Sequence, residues 1–337
     1  MPLHNLHQHF IGQVKYRLKQ AQRAVYQDLI DNWSKAINFP LELRESLNKD
    51  YPLEVKAEFF ISKNNKAVKA LITLADGQKI ETVLLKNSDG RNSLCVSSQV
   101  GCQISCRFCA TGQMGYKRDL EPDEIINQAL VMARYLKSLN VSNHKITNII
   151  FMGMGEPFLN YDNVIWAIKI LNDSEGFNLG ARHFSISTCG VIPGIQKLAK
   201  EKLQINLAIS LNAPTNELRS KLMPINKKYS LEKVMATVND YIKRTGRQVM
   251  FEYLLIKGVN DSLFMAKQLS QIINNHLFVV NLIPYNPTGK FKASDKKQIM
   301  AFKKVLEDNR VKVTQRNSFG QDIMAACGQL AGRGSRK

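Results

Sequence analysis

The chain is short of the features that would place it in a membrane or outside the cell. No run approaches the roughly 20 apolar residues of a membrane span, and the opening MPLHNLHQHFIGQVKY lacks the sustained apolar stretch of a secretion signal. Six cysteines in 337 residues are too few for a disulfide scaffold. No internal repeat and no low-complexity segment is visible. These absences point to a globular protein of a reducing cytoplasm, off the membrane. The length allows one large domain plus a small accessory one.

Acidic residues are scarce as well: 28 Asp and Glu stand against 47 Lys and Arg, a formal charge of +19. A solvated surface can carry such an excess for solubility alone. A polyanion partner accounts for it better, because lysines and arginines gain affinity by releasing counterions from phosphates. Charge does not separate RNA from DNA.

Residues 15–50 read as helical, with Ala21, Ala24, Val25, Leu29 and Ile30 at helical spacing. Short β-like runs follow at Val55–Ile61, Lys69–Leu74 and Ile80–Leu85, parted by the turn signals Asn64-Asn65 and Asp76-Gly77. From about residue 91 strand and helix alternate. Strands are expected at Ile146–Met152, His183–Ser187, Gln204–Ser210, Gln248–Leu255, Phe278–Pro284 and Val311–Thr314. Helices are expected between and after them, the first at Pro122–Leu139, where proline, Asp123 and Glu124 suit a helix start. Repeated strand–helix units imply an α/β fold: a parallel sheet closed into a partial or complete (β/α) barrel, with ligands at the C-terminal strand ends. The expected organisation is a basic accessory region over 1–90 (helical part, then β-meander), a core over 91–315, and a C-terminal loop and tail over 316–337, of which Gly328–Lys337 is Gly-rich, basic and mobile.

Cys102, Cys106 and Cys109 form a C-x3-C-x2-C triplet. Three thiolates in one compact loop suit a soft metal. A structural zinc would want a fourth ligand nearby, and no Cys or His recurs before His144. Three ligands on a four-iron cluster leave one iron open to coordinate a substrate or cofactor. Downstream, Gly153-Met154-Gly155-Glu156-Pro157 follows a strand, and Ser185–Gly190 and Ala208–Asn212 place polar groups at strand ends. Each alone is a weak signal; at the C-terminal ends of successive strands they outline one pocket.

The triplet resembles that of radical S-adenosylmethionine (SAM) enzymes. The whole of residues 80–332 resembles the RlmN/Cfr family of radical SAM RNA methyltransferases, through Glu81-Thr82-Val83, Leu94–Ala110, Phe151–Asn160, Ser185–Gly190, Ser210-Leu211, Pro224–Asn226, Asn281–Pro287 and Ala325–Gly332. The resemblance implies a radical SAM barrel in which Cys102, Cys106 and Cys109 hold a [4Fe–4S] cluster. Gly155 and Glu156 would meet the amino end of SAM, with Ser187, Ser210, Leu211, Asn212 and Asn286 lining the rest. Cys327 would be the cysteine methylated by one SAM, Cys95 its partner in a transient disulfide, and Glu81 the base that removes the adenine proton. A second SAM would supply the radical.

The implied substrates are 23S rRNA and tRNA, methylated at adenine C2, with an external electron donor such as flavodoxin and a monomeric enzyme. Cfr-like methylation at C8 of 23S rRNA is the alternative, followed by a non-methylating radical SAM enzyme and a zinc-stabilised RNA-binding module. Several positions depart from the family pattern. One extra residue separates Glu81 from Cys95, Asn212 stands where His is usual, Met324 replaces an Asp, and Ser318-Phe319-Gly320 looks Cfr-like. Cys189 has no partner in the scheme and reads as packing; His144 and His183 read as surface or satisfied core residues and not as ligands.

Overall fold

A computed structural model describes residue 10 and residues 15–140, 145–316 and 318–332. His144 and residues 333–337 of the tail expected to be mobile lie outside these residues.

The N-terminal segment is not one helix. Helices Lys15–Tyr26 and Leu41–Asp50 flank a short 3-10 turn at Trp33–Lys35. The break has local causes: Leu29 takes a left-handed φ of 57°, the Asn32 side chain accepts the Ser34 N–H, and Pro40 caps the second helix. Trp33 is fully buried and donates its ring N–H to the Tyr51 carbonyl. Arg134, on helix Pro122–Ser138, donates to the carbonyls of Leu29, Ile30 and Leu53, which fastens this segment to the core.

Twelve strands follow among the described residues: β1 (Lys56–Ile61), β2 (Ala67–Thr73), β3 (Lys79–Lys86), β4 (Asn92–Cys95), β5 (Gln99–Gly101), β6 (Tyr116–Asp119), β7 (Asn148–Phe151), β8 (Phe184–Thr188), β9 (Asn206–Ser210), β10 (Val249–Leu255), β11 (Phe278–Pro284) and β12 (Lys312–Gln315). Ten of them form one sheet, ordered β1-β2-β3-β4-β7-β8-β9-β10-β11-β12. The first four strands run antiparallel to one another; from β4 onward every pairing is parallel. The remaining two, β5 and β6, make a separate hairpin.

The alternating strands lie where expected, their ends shifted by a residue or two. Three short strands, β4 to β6, have no expected counterpart. They are too brief to show a period, and the cysteine loop interrupts them. Residue 90 marks no gap: β3 pairs with β4 through Val83↔Cys95, so the meander extends the core sheet.

The long parallel strands β10 and β11 are buried nearly end to end, as strands covered on both faces must be. Helix Pro122–Ser138 opens with a reciprocal capping box between Glu121 and Glu124, and buries Ile125, Ala129, Leu130, Ala133 and Leu136. The edges β1 and β12 do not pair, yet Val83 and Leu85 of β3 share a cavity with Ile283 of β11 and Arg316 just past β12. The sheet therefore curls into a partial barrel, and its interior is the place for a site.

Candidate active site

The cysteine loop grows from the end of β5 and is pinned by close backbone contacts. Gly101 has φ +78°, and a Cβ there would stand 1.9 Å from the Gly115 carbonyl oxygen; only glycine lets the loop cross itself. Cys102 donates its N–H to that carbonyl, and Cys109 to the Cys106 carbonyl. Cys102, Cys106 and Cys109 all line one cavity of about 900 Å³ including its open mouth.

Burial drives the Cys102 thiol up to about 12, with Glu156 and Cys109 adding to the effect. Burial also drives Cys106 well above its ordinary value, reinforced by Cys109, Cys102 and Glu156. So many potential anions in one apolar pocket want a positive counterpart, and a bound metal centre takes thiols as thiolates outright. Among the described residues no three Cys, His, Asp or Glu side chains are grouped closely enough for a single metal ion. The triplet around a roomy cavity fits a larger, polynuclear group better than one zinc.

Opposite the loop, Gly155 has φ +100°, and a Cβ would come within 2.6 Å of the Gln99 side chain. Glu156 is buried, lines the cavity, and accepts the N–H groups of Phe158 (3.0 Å) and Cys189 (2.8 Å) on its two carboxylate oxygens. Burial holds its carboxyl above the usual range. Ser187, at the end of β8, and Ser210, at the end of β9, also line the cavity; both hydroxyls donate to one oxygen of Glu252.

Asn212 lines the cavity too, with a left-handed φ of 60° that asparagine tolerates better than most residues. Its side-chain oxygen accepts the Leu254 N–H at 2.9 Å, so its amide holds β10 in place. Two expected residues sit elsewhere. Leu211 is fully buried and does not line this cavity. Asn286 lines the adjoining one, where its amide donates to the Cys327 carbonyl (3.2 Å) and accepts from Gln321 (2.6 Å).

That adjoining cavity, about 620 Å³, holds Cys95, Arg316, Met152 and Cys327. Cys327 lines both cavities; Cys95 lines only the second. Both thiols are free. Cys95 is 8% exposed, and burial raises it to about 12, with the Cys327 thiol pushing the same way and Arg316 opposing. The loop bearing Cys327 lies over the cysteine triplet: Ala110 donates to the Gly328 carbonyl (2.7 Å), and the Thr111 hydroxyl to that of Leu330 (2.7 Å). Met324, at the departure from Asp, adopts a left-handed φ of 53° as it ends the turn Gln321–Ile323.

Glu81 lies in β3 and is enclosed. Lys69 of β2 pairs with it at 2.7 Å, each side chain 1% exposed. The other carboxylate oxygen accepts the N–H groups of Ala331 (2.7 Å) and Gly332 (3.2 Å). The segment just past Cys327 therefore covers the expected base.

Two participants escaped the sequence reading. Glu252 is the single charge in the apolar run Val249–Leu255, an anomaly that could have flagged it. Arg219 is fully buried and donates to the carbonyls of Cys189 and Leu211 and to Asn226, bracing the ends of β8 and β9. Cys189, expected to be packing, also lines the first cavity. His183 is exposed, away from both cavities.

Known proteins share this arrangement. Residues 96–266 match the model of the radical SAM superfamily. A protein of Dictyoglomus thermophilum named probable dual-specificity RNA methyltransferase RlmN is 44% identical over 321 residues, 95% of this chain and 91% of that one. The ribosomal RNA large subunit methyltransferase N of Nitrosopumilus maritimus is 41% identical over 330 residues, covering 95% and 93%. The crystal structure of a radical SAM methyltransferase from Sphaerobacter thermophilus superposes with a TM-score of 0.94 at 39% identity, over 99% of this chain and 98% of that one. With 39–44% identity to these relatives over nearly its full length, and a cysteine triplet facing a barrel cavity, the chain belongs to the RlmN family of radical SAM RNA methyltransferases.

Proposed function

We propose that this enzyme methylates C2 of an adenosine in 23S rRNA and of an adenosine in tRNA, with Cys327 as the carrier of the one-carbon unit. The observation that carries the proposal is the position of Cys327 at the junction of two cavities. One is walled by the cysteine triplet, the other by Cys95. A sulfur there reaches a methyl donor on one side and its resolving thiol on the other.

Cys102, Cys106 and Cys109 would hold the [4Fe–4S] cluster, and the walls bearing Gly155, Glu156, Ser187, Ser210 and Asn212 would seat SAM. When bound, cluster and SAM supply a methyl group in one encounter and a 5′-deoxyadenosyl radical in another, two SAM per turnover. Cys327 accepts the methyl group by displacement and then presents it, activated, to the electron-poor ring carbon. Glu81 removes the ring proton as general base. Cys95 attacks the Cys327 sulfur, which releases the RNA and leaves a disulfide between the two.

Glu81 is covered by the backbone of Ala331 and Gly332. It becomes available as base when that segment lifts, and the same movement carries Cys327 toward RNA. Cys95, held protonated by burial in the closed arrangement, gains nucleophilicity when the loop opens. The +19 charge supports a polyanionic substrate. In this reading the enzyme works as a monomer in the cytoplasm, reduced by an external donor such as flavodoxin.

Nucleoside mass spectrometry tests the proposal, after anaerobic reaction of the cluster-loaded enzyme with SAM, a reductant and separate rRNA and tRNA. The expected product is 2-methyladenosine in both. Formation of 8-methyladenosine instead would assign the Cfr-like position that Ser318-Phe319-Gly320 resembles. SAM cleavage with neither product would refute the methyl-transfer reading.

A further inference from the structure

A further cavity of about 1130 Å³, open mouth included, lies among the N-terminal ends of the parallel strands, and none of the roles above uses it. Ser93 and Ser185, each the second residue of its strand, line it. Side chains two apart on a strand face the same way, and here such pairs divide between two levels. Ser93 lines this floor cavity and Cys95 the one it shares with Cys327. Ser185 stands below Ser187, and Asn281 below Ile283, in the same manner. The floor cavity is therefore the next layer down in one barrel interior.

A closed barrel fills such a layer with bulky branched side chains. Here Ser93, Ser185, Ala208 and Asn281 are small or polar and leave the floor unsealed. Arg91 and Gln315, both exposed, mark its mouth. At its inner end it meets the cavity of Cys95 and Cys327, because Leu85, Met152, Arg316 and Phe319 line both spaces. Across that boundary the Arg316 guanidinium donates to the Met152 sulfur at 3.1 Å. Both side chains are unbranched and flexible, so rotation of either opens the floor onto Cys95.

Charge selects what can use this passage. No aspartate or glutamate lines it, and an arginine stands at each end. Arg91 is paired in solvent with Asp89. Arg316 is raised above its ordinary value chiefly by the Cys327 thiol, with Glu252 and Cys95 acting the same way, so its charge is fixed beside the two cysteines. Such a lining favours a small anion over a cation. The reaction also supplies a need: each proposed turnover ends with a Cys95–Cys327 disulfide, which has to return to two thiols. In that reading SAM fills the first cavity, which Cys95 does not line, and the floor is the approach left to the Cys95 sulfur.

We propose that the floor of the barrel admits a small anionic thiol, which reduces the Cys95–Cys327 disulfide between turnovers. This rests on the reading that the two cysteines form that disulfide. The reductant's thiolate attacks the Cys95 sulfur, the Cys95–Cys327 bond breaks, and Cys327 leaves beside Arg316 and takes a proton. A second reductant thiolate attacks the first one's sulfur in the mixed disulfide. Cys95 leaves and is protonated, and the two reductant molecules depart joined as their own disulfide. Two thiols are oxidised, one protein disulfide is reduced, and both protons stay on the cysteines.

The test starts from holoenzyme taken anaerobically through one turnover with SAM and RNA. Alkylation and peptide mass spectrometry then follow the return of Cys95 to a free thiol. Mercaptopropionate, mercaptoethanol and cysteamine are the probes, each rate divided by that thiol's rate on the disulfide of mercaptoethanol. The anionic thiol should lead the cationic one by about tenfold, and the lead should narrow at high salt. Saturating SAM should leave the rate unchanged, because it closes only the first cavity. Ser93→Leu, which fills the floor beneath Cys95, should slow reduction by about tenfold and leave the first turnover of methylation intact. Arg91→Glu, an exposed change, should slow the anionic thiol and not the neutral one. Reduction blocked by SAM, or a cationic thiol as fast as the anionic one, overturns the proposal even if no variant folds. So does reduction of Ser93→Leu at the wild-type rate. A turnover that leaves no Cys95–Cys327 disulfide refutes the proposed function instead, and that failure is seen before any thiol is added.

Discussion

Removing the lysine from the Lys69–Glu81 pair is the sharpest test of how the site is held together. The pair is 2.7 Å long and each side chain is 1% exposed. Breaking such a buried pair from one side costs about 3–5 kcal/mol, because a charge is left in low dielectric without its partner. In Lys69→Met the Glu81 carboxylate keeps the N–H groups of Ala331 and Gly332, which limits the loss to the lower part of that range. For a chain of this size, that lowers the thermal midpoint by roughly 4–6 °C.

The double variant Lys69→Met/Glu81→Gln removes the stranded charge and should recover more than half of the loss. That non-additivity is what a direct pair requires. Thermal unfolding of the holoenzyme, followed by circular dichroism, measures both. A single variant within about 2 °C of wild type, or a double variant no better than the single, would refute the reasoning.

Other consequences are open to direct measurement. Cys327→Ala should abolish RNA methylation while SAM cleavage persists; normal methylation by this variant would remove Cys327 from the mechanism. Burial raises the Cys95 thiol to about 12, so its ionised fraction is small at neutral pH and grows as pH rises. Its alkylation in the closed holoenzyme should keep accelerating beyond about pH 9, where an ordinary thiol levels off; peptide mass spectrometry showing an early plateau would contradict this. Affinity for RNA should drop by about tenfold or more between roughly 50 and 200 mM salt, and a flat response in filter binding would mean that the +19 charge is not directed at phosphates. Arg219→Met should destabilise by about 1–3 kcal/mol, because the carbonyls of Cys189 and Leu211 and the side chain of Asn226 all lose their donor; a neutral effect on chemical denaturation would count against its bracing role.

What the sequence determined by itself is local. The cysteine triplet is legible because its three thiols fall within eight consecutive residues of one loop. The glycines at 101 and 155 mark turns that a Cβ would block, and the helix over Pro122–Ser138 announces itself through its own cap and periodicity. The alternation of strand and helix made a parallel sheet, and hence a pocket at the strand ends, the natural expectation.

Tertiary structure decided whatever depends on chain segments far apart. The meander joins the core sheet through Val83↔Cys95, a pairing with no signature in either strand. Cys95 and Cys327 come to one cavity only because the C-terminal loop folds back over the cysteine triplet. Glu81 is a lone acid in sequence, and its pairing with Lys69 and capping by Ala331 and Gly332 join three distant segments. Glu252 was visible as a charge among apolar residues, but its unpaired oxygen exists only once two neighbouring strands deliver Ser187 and Ser210 to the other one. Local sterics and periodicity act over a few residues and can be read directly; burial and hydrogen-bond satisfaction belong to the closed barrel, and arise only when it forms.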